Sequence, residues 1–476
     1  MKFRTEHKTG RGGKAVCLAA VLLAAVMCCG CGALWRLAGL GGPASGWESS
    51  ENSAAPQTEQ VTEETGTETG AETNPEAAGE EILPARYDYR EQGRCPAAGS
   101  QGELGTCWAF ATMLAMESSL LPEESYDFSE DHISLHNSFG MPQDMGGDYT
   151  MAMAYLLAWQ GPVLEEQDPY GDGVSPDGLA PVRHVQEIRI LDDKDYDAIK
   201  RTVYDCGGVQ TSLYIAQEDA ENGDLYYRPD TYAYYYNGEK RSNHDVVIIG
   251  WDDAYPRGNF NMDPGMDGAF LCMNSWGTEF GDAGLFYVSY GDINIGKHSL
   301  AYTGIEAPDN YTSIYQTDLC GWLGQLGYGD EEAYFANVYT AEGDERLDAV
   351  GFYATGPGTE YEIYVIRGVG EEGRFRLESP AASGSFRYSG YYTVPLETPE
   401  MLNEGERFAV AVHIRTPGAV HPVAIEYQSS ESTFSAQVDI SDGEGYISAD
   451  GRNWSGTEEA QNSNVCLKAY TSAGQQ

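Results

Sequence analysis

The stretch Gln101-Gly102-Glu103-Leu104-Gly105-Thr106-Cys107-Trp108-Ala109-Phe110 constrains this chain more than any other. Cys107 opens a predicted helix, because Ala111, Leu114, Ala115 and Ser118 recur at helical spacing behind it. A thiol at a helix N-terminus meets the positive end of the macrodipole, which favours the thiolate. The thiolate is the nucleophilic form, so the position suits covalent catalysis. Gln101 lies six residues upstream, across a glycine-containing turn. Its side-chain amide can fold back over the sulfur and, with the Cys107 N–H, offer two donors to an oxyanion. The plain alternative is a buried structural cysteine. What lies downstream decides between them.

Gly146-Gly147 permits close approach of another backbone, or a simple turn. Residues 149–160 read as a helix ended by Gly161-Pro162. A second helix spans about Asp195 to Tyr204 and leads to a strand from Gln210 to Ile215. Asn237-Gly238 is a hairpin signal. The run His244 to Trp251 is apolar on both faces and predicts a central strand with His244 at its start. Alone, His244 reads as a structural histidine. Phe270 to Met273 predicts a strand that runs into Asn274-Ser275-Trp276-Gly277. The Asn274 carbonyl oxygen can fix one imidazole nitrogen of His244 so that the other faces Cys107, and the Trp276 indole can shield that bond.

In this order, Gln/Cys, Gly-Gly, His and Asn-Ser-Trp-Gly make residues 84–305 resemble the papain-like cysteine peptidases. Gly105, Cys107 and Trp108 match the nucleophile motif, while Leu104 and Thr106 depart from it. Tyr87-Asp88-Tyr89-Arg90 resembles the family's mature N-terminal strand, and Phe128 to His132 its Leu-Ser-Glu-Gln segment. Asn243-His244-Asp245-Val246 resembles Asn-His-Ala-Val, with Asp245 in place of a small residue. That exchange is harmless if Asp245 faces away from the sulfur. The resemblance implies an α+β fold: a papain-like two-lobed catalytic domain, one lobe helical and one barrel-like, over residues 83–306. It implies catalytic Gln101, Cys107, His244 and Asn274, substrate binding at Gly146, Gly147 and Trp276, and protein or peptide substrates. Neither cofactor nor metal is assigned. His132 and His136 lack a third ligand, and the acidic loop 252–267 reads as solvated. Transglutaminase-like enzymes and cell-wall amidases also use Cys and His, but lack this combination of motifs.

Five basic residues between Lys2 and Lys14 precede the apolar run Ala15 to Leu34. Residues 1–36 therefore read as a secretory signal peptide or an uncleaved anchor holding the chain on a membrane. Cys28-Cys29-Gly30-Cys31 loosely resembles a lipidation site. Each version places the remainder outside the cytoplasm, secreted or held at the cell surface. Trp47 to Ile82 has ten Glu and no Lys or Arg, so residues 37–82 read as a disordered acidic linker. It is too short and too polar to be the folded inhibitory pro-segment usual in such peptidases. The net charge of −46 argues against nucleic-acid binding, since like charge repels phosphate.

Residues 310–473 carry short alternating strands separated by turn residues, the pattern of an all-β sandwich. The arrangement resembles the lectin-like domain that follows some bacterial papain-like peptidases. That resemblance implies glycan or cell-wall contact, with Tyr388, Tyr391 and Tyr392 either stacking on sugars or packing in the core. Cys320 and Cys466 are offered as one disulfide pairing among several. The rival to an enzyme is a surface adhesin with an inactive peptidase-like domain.

Overall fold

The computed structural model describes residues 82–216, 223–370, 376–428 and 438–474. The segments read above as a signal or anchor, 1–36, and as an acidic linker, 37–82, lie outside the described residues apart from Ile82. The chain is α+β: a first part of helices and strands, followed by a second part that is almost entirely β.

The helical lobe is built on Cys107–Leu120, called the nucleophile helix after the candidate residue that opens it. It is buried from Cys107 to Ser118, so no polar stripe is needed and none is present. Glu130–Leu135 and Tyr149–Leu157 pack on it. Each has an acceptor at its N-cap: Ser129 Oγ accepts from His132 N–H, and Asp148 accepts from Thr150 N–H. His132 is a packing residue, its Nδ1 bonded to Tyr155 OH at 2.7 Å and its ring stacked on His136.

Against this lobe stands a sheet whose central member is the histidine strand, His244–Asp252. It pairs with Val209–Leu213 on one side and Ala269–Met273 on the other. Arg86–Asp88 adds to its far end. The Asn237-Gly238 signal does not make a hairpin. Ala233–Tyr234 pairs with Leu285–Ser289 and Tyr227–Arg228, not with the histidine strand. The Tyr236 hydroxyl accepts from Lys240 N–H at 3.0 Å and bridges the turn with a side chain rather than a ladder.

The sheet does not stop at the end of the catalytic domain. His184–Leu191 pairs on one side with Lys297–Glu306 and on the other with Ser389–Leu402 of the lectin-like half. Through this seam one 13-stranded sheet runs across both domains. Its lectin-like portion faces a six-stranded sheet that includes Glu332–Thr340, Thr359–Arg367 and Arg407–Arg415. Phe335, Phe352, Phe408, Val410 and Leu467 fill the space between them. At the seam Gly390 has φ +143°, and a Cβ there would lie 1.9 Å from the Ile188 carbonyl oxygen. Only glycine allows the strands to meet here.

Two alternatives for the lectin-like half are resolved. Tyr391 is fully buried, its hydroxyl bonded to that of Tyr470, and Tyr392 stacks on Phe386 at 3.8 Å. Both are packing residues; Tyr388 stays half-buried. Cys320 and Cys466 are separate buried thiols rather than a disulfide. The Cys320 sulfur lies 3.7 Å from the Ser138 carbonyl oxygen of the helical lobe, and burial raises both thiols, Cys320 to about 12.

Candidate active site

The nucleophile loop, residues 99–106, is clamped to the turn at 274–277. Gln101 N–H donates to the Ser275 carbonyl at 2.9 Å, and Gly277 N–H to the Gly99 carbonyl at 2.8 Å. The Ser275 hydroxyl donates to Gln101 Oε1 at 2.6 Å. This fixes which end of the Gln101 amide is oxygen. The opposite nitrogen donates one N–H to the Leu104 carbonyl at 2.7 Å, which leaves its second for a ligand.

The same turn fixes His244. Ser275 N–H donates to Asn274 Oδ1 at 2.8 Å, so that atom is an acceptor. His244 Nε2, 2.8 Å from the same oxygen, must therefore carry a proton. In the neutral ring Nδ1 is then the basic nitrogen. Asn274 is fully buried, and its Nδ2 has no hydrogen-bond partner among the described residues. The Trp276 ring centroid stands 5.2 Å from that of His244. Burial pushes the imidazole down to about 4, against the opposing pull of the Asn274 carbonyl. An isolated imidazolium is thus disfavoured here, and a nearby anion is required to hold one.

Asp245 faces away from this arrangement. It lies opposite Ser212 in the ladder, accepts from the Ser212 hydroxyl at 2.7 Å and from Gln210 Nε2 at 3.0 Å. Its exchange for a small residue is absorbed by a buried polar network that continues through Gln210 to Thr112 and Tyr302.

The glycine pair sits beside the nucleophile loop. A Cβ on Gly105 would lie 2.8 Å from Gly146 N, and one on Gly147 would lie 2.4 Å from Trp108 Nε1. Gly146 has φ +80° and ψ −166°, an extended conformation open to glycine alone. Two residues that motif reading did not single out also belong to the site. Ser275 ties Gln101 to Asn274. Tyr170 packs edge-on against Phe110 at 4.8 Å and reaches Thr106 and Gln101 with its hydroxyl. No motif marks Tyr170, since it stands in an irregular segment far from Cys107 in sequence. Among the described residues, no group of His, Cys, Asp and Glu is arranged to hold a metal.

This arrangement of fold and motifs is that of a papain-family protease domain with a second, lectin-like domain behind it. Residues 83–305 match the papain family cysteine protease and residues 314–471 the lectin like domain, so the chain carries both. A cysteine protease of Blomia tropicalis is 27% identical over 227 residues, 45% of this chain and 63% of that protein. Cathepsin J of Mus musculus is 25% identical over 49% of this chain and 66% of its own length. The chain thus spans less than two thirds of the length of these curated relatives. Among solved structures, the clostridial cysteine protease Cwp84 after propeptide cleavage is 27% identical with a TM-score of 0.73, over 82% of this chain and 99% of that one. The cysteine protease and lectin-like domains of Cwp84, a surface layer associated protein of Clostridium difficile, superpose with a TM-score of 0.71 at 26% identity, over 83% and 90%. The likeness to Cwp84 spans both domains.

Proposed function

We propose that this chain is an extracytoplasmic cysteine peptidase that hydrolyses peptide bonds through Cys107, His244 and Asn274, with Gln101 in the oxyanion hole. One observation carries the reading. A continuous set of hydrogen bonds runs from His244 through Asn274 and Ser275 to Gln101, and leaves the His244 Nδ1 and one Gln101 N–H uncommitted by it.

In the proposed reaction Cys107 gives its proton to His244 Nδ1, and the resulting thiolate supplies the anion that a buried imidazolium needs. The sulfur attacks the carbonyl carbon, and the C=O electrons move onto oxygen. Gln101 Nε2–H and the Cys107 N–H stabilise that oxyanion. As the C–N bond breaks, the imidazolium protonates the departing amine and leaves a thioester on Cys107. Neutral His244 then takes a proton from water, which attacks the thioester and regenerates the thiol. Asn274 holds the ring throughout, and Trp276 keeps water from that bond. Gly146 and Gly147 present backbone to the extended peptide.

We divide the chain into a peptidase domain at 83–306 and a lectin-like sandwich at 310–473. The basic and apolar segment 1–36 directs export or anchors the chain to a membrane, with 37–82 as its tether. The likeness to a surface layer associated protein supports that placement, as it supports protein substrates and glycan or cell-wall contact through the second domain. Among the described residues no helix is long and apolar enough to cross a membrane. Hydrolysis of a fluorogenic peptide library by the wild type, lost by at least about 10³-fold in Cys107→Ala, is the expected result. Equal hydrolysis by that variant overturns the proposal.

A further inference from the structure

We infer that Tyr170 is a positioning residue of the oxyanion hole, acting through Thr106 and Gln101. The inference rests on the reading of the site just given. The Tyr170 hydroxyl donates to the Gln101 carbonyl at 3.0 Å, an oxygen that can only accept. Tyr170 has one hydroxyl proton, so at the 2.6 Å contact between Tyr170 OH and Thr106 Oγ1 it is Thr106 that donates. The order is fixed: Thr106 O–H to Tyr170 O–H to Gln101 C=O. Such a chain polarises each bond in turn and holds its members more firmly than one bond does.

Its two ends are the two sides of the oxyanion hole. Gln101 supplies the side-chain donor. Thr106 is the N-cap of the nucleophile helix, directly before Cys107. A threonine at an N-cap ordinarily turns its hydroxyl onto the first helical turn. Thr106, fully buried, makes no such bond. Its hydroxyl is drawn to Tyr170, so it neither covers the opening turn nor screens its positive end. The Thr106 hydroxyl is the start of the chain, a role its methyl group does not share.

Tyr170 itself is held rigidly. Its ring meets Phe110, one turn along the same helix, and its N–H donates to Glu165 at 2.8 Å. The Asp168 carbonyl nearby accepts from the Ser129 hydroxyl at 2.6 Å. Burial raises the Tyr170 phenol to about 12, so it remains a proton donor at any working pH.

The test is a double-mutant cycle on a fluorogenic peptide that the wild type cleaves. Tyr170→Phe keeps the ring against Phe110 and removes only the hydroxyl. We expect kcat to fall about tenfold with KM within twofold. In a Gln101→Ala background the same change should cost less than about twofold, because the donor it positions is gone. Thr106→Val should reproduce the loss and Thr106→Ser should not, which keeps the test intact if Tyr170→Phe folds poorly. An equal fold-loss with and without Gln101, or a loss carried by KM, overturns the inference. A wild type that cleaves no peptide fails at the earlier step, and overturns the reading of function together with this one.

Discussion

Two junctions hold this protein together, and they are made of different parts. At the cleft, two backbone bonds clamp the loop at 99–106 to the turn at 274–277, and side chains set the site: Ser275 to Gln101, Asn274 to His244, Tyr170 to Thr106. At the seam, His184–Leu191 meets Ser389–Leu402 through backbone, in the register Ser389 with Ile190 to Tyr392 with Glu187. Side chains add to the seam: paired Ile188 and Tyr391 share one buried core, and at the edge Thr393 Oγ1 donates to Gln186 Oε1 at 2.6 Å. A side-chain junction can be tuned residue by residue. A backbone junction tolerates most side chains and fails only where the strands cannot approach.

The seam should therefore break at one residue and resist change elsewhere. Gly390→Val places a Cβ against the Ile188 carbonyl. We expect a loss of about 4 kcal/mol or more, read by denaturant unfolding, with the two domains melting separately in calorimetry. A single unshifted transition would show that the ladder does not couple them.

At the cleft, Gln101→Ala should lower kcat by about 10²-fold, the lower end for losing an oxyanion donor, with KM little changed. Asn274→Ala should cost about tenfold, a part of the roughly 10²–10⁴ that acid–base catalysis supplies. Both are read from initial rates; a pure rise in KM for either contradicts its assignment.

Each half also hides carboxyl groups that titrate late, Glu117 and Glu426 among them. Burial raises Glu117 in the nucleophile helix and Glu426 in the lectin-like half, each to about 8. Between the ordinary value near 4.5 and about 8, the folded protein holds protons that the unfolded chain has released. Stability should then fall as pH rises through that window. Thermal unfolding should show a lower Tm at pH 8.5 than at pH 5.5, with Glu117→Gln flattening the change. A Tm that rises over this range contradicts the shift. The smallest effect belongs to Thr393→Val, about 1 kcal/mol for one hydrogen bond at the edge of the seam.

The same contrast explains what the sequence made legible. The four motif pieces were readable because the chemistry demands particular side chains, and the nucleophile helix, the histidine strand and most strands of the second domain follow from periodicity. The seam was not, because a ladder of backbone bonds between residues 187–190 and 389–392 leaves no residue signature beyond one glycine. Tyr170 was missed for a related reason: its role comes from a hydroxyl placed by a loop, not from spacing. The proposed Cys320–Cys466 bond failed because cysteine count carries no geometry, and each sulfur instead settles in its own buried site. Asn237-Gly238 misled because Tyr236 takes over the turn.

The central claim is that Cys107 is the reactive sulfur of this chain. Six cysteines lie among the described residues, and of these Cys95 and Cys206 are more exposed than Cys107. Reaction with a peptidyl epoxide, followed by mass spectrometry of the digested protein, tests the claim directly. The account predicts one adduct, on buried Cys107, with none on Cys95 or Cys206 and none at all in Cys107→Ala. Labelling of the exposed thiols in its place, or no labelling of the wild type, would contradict it.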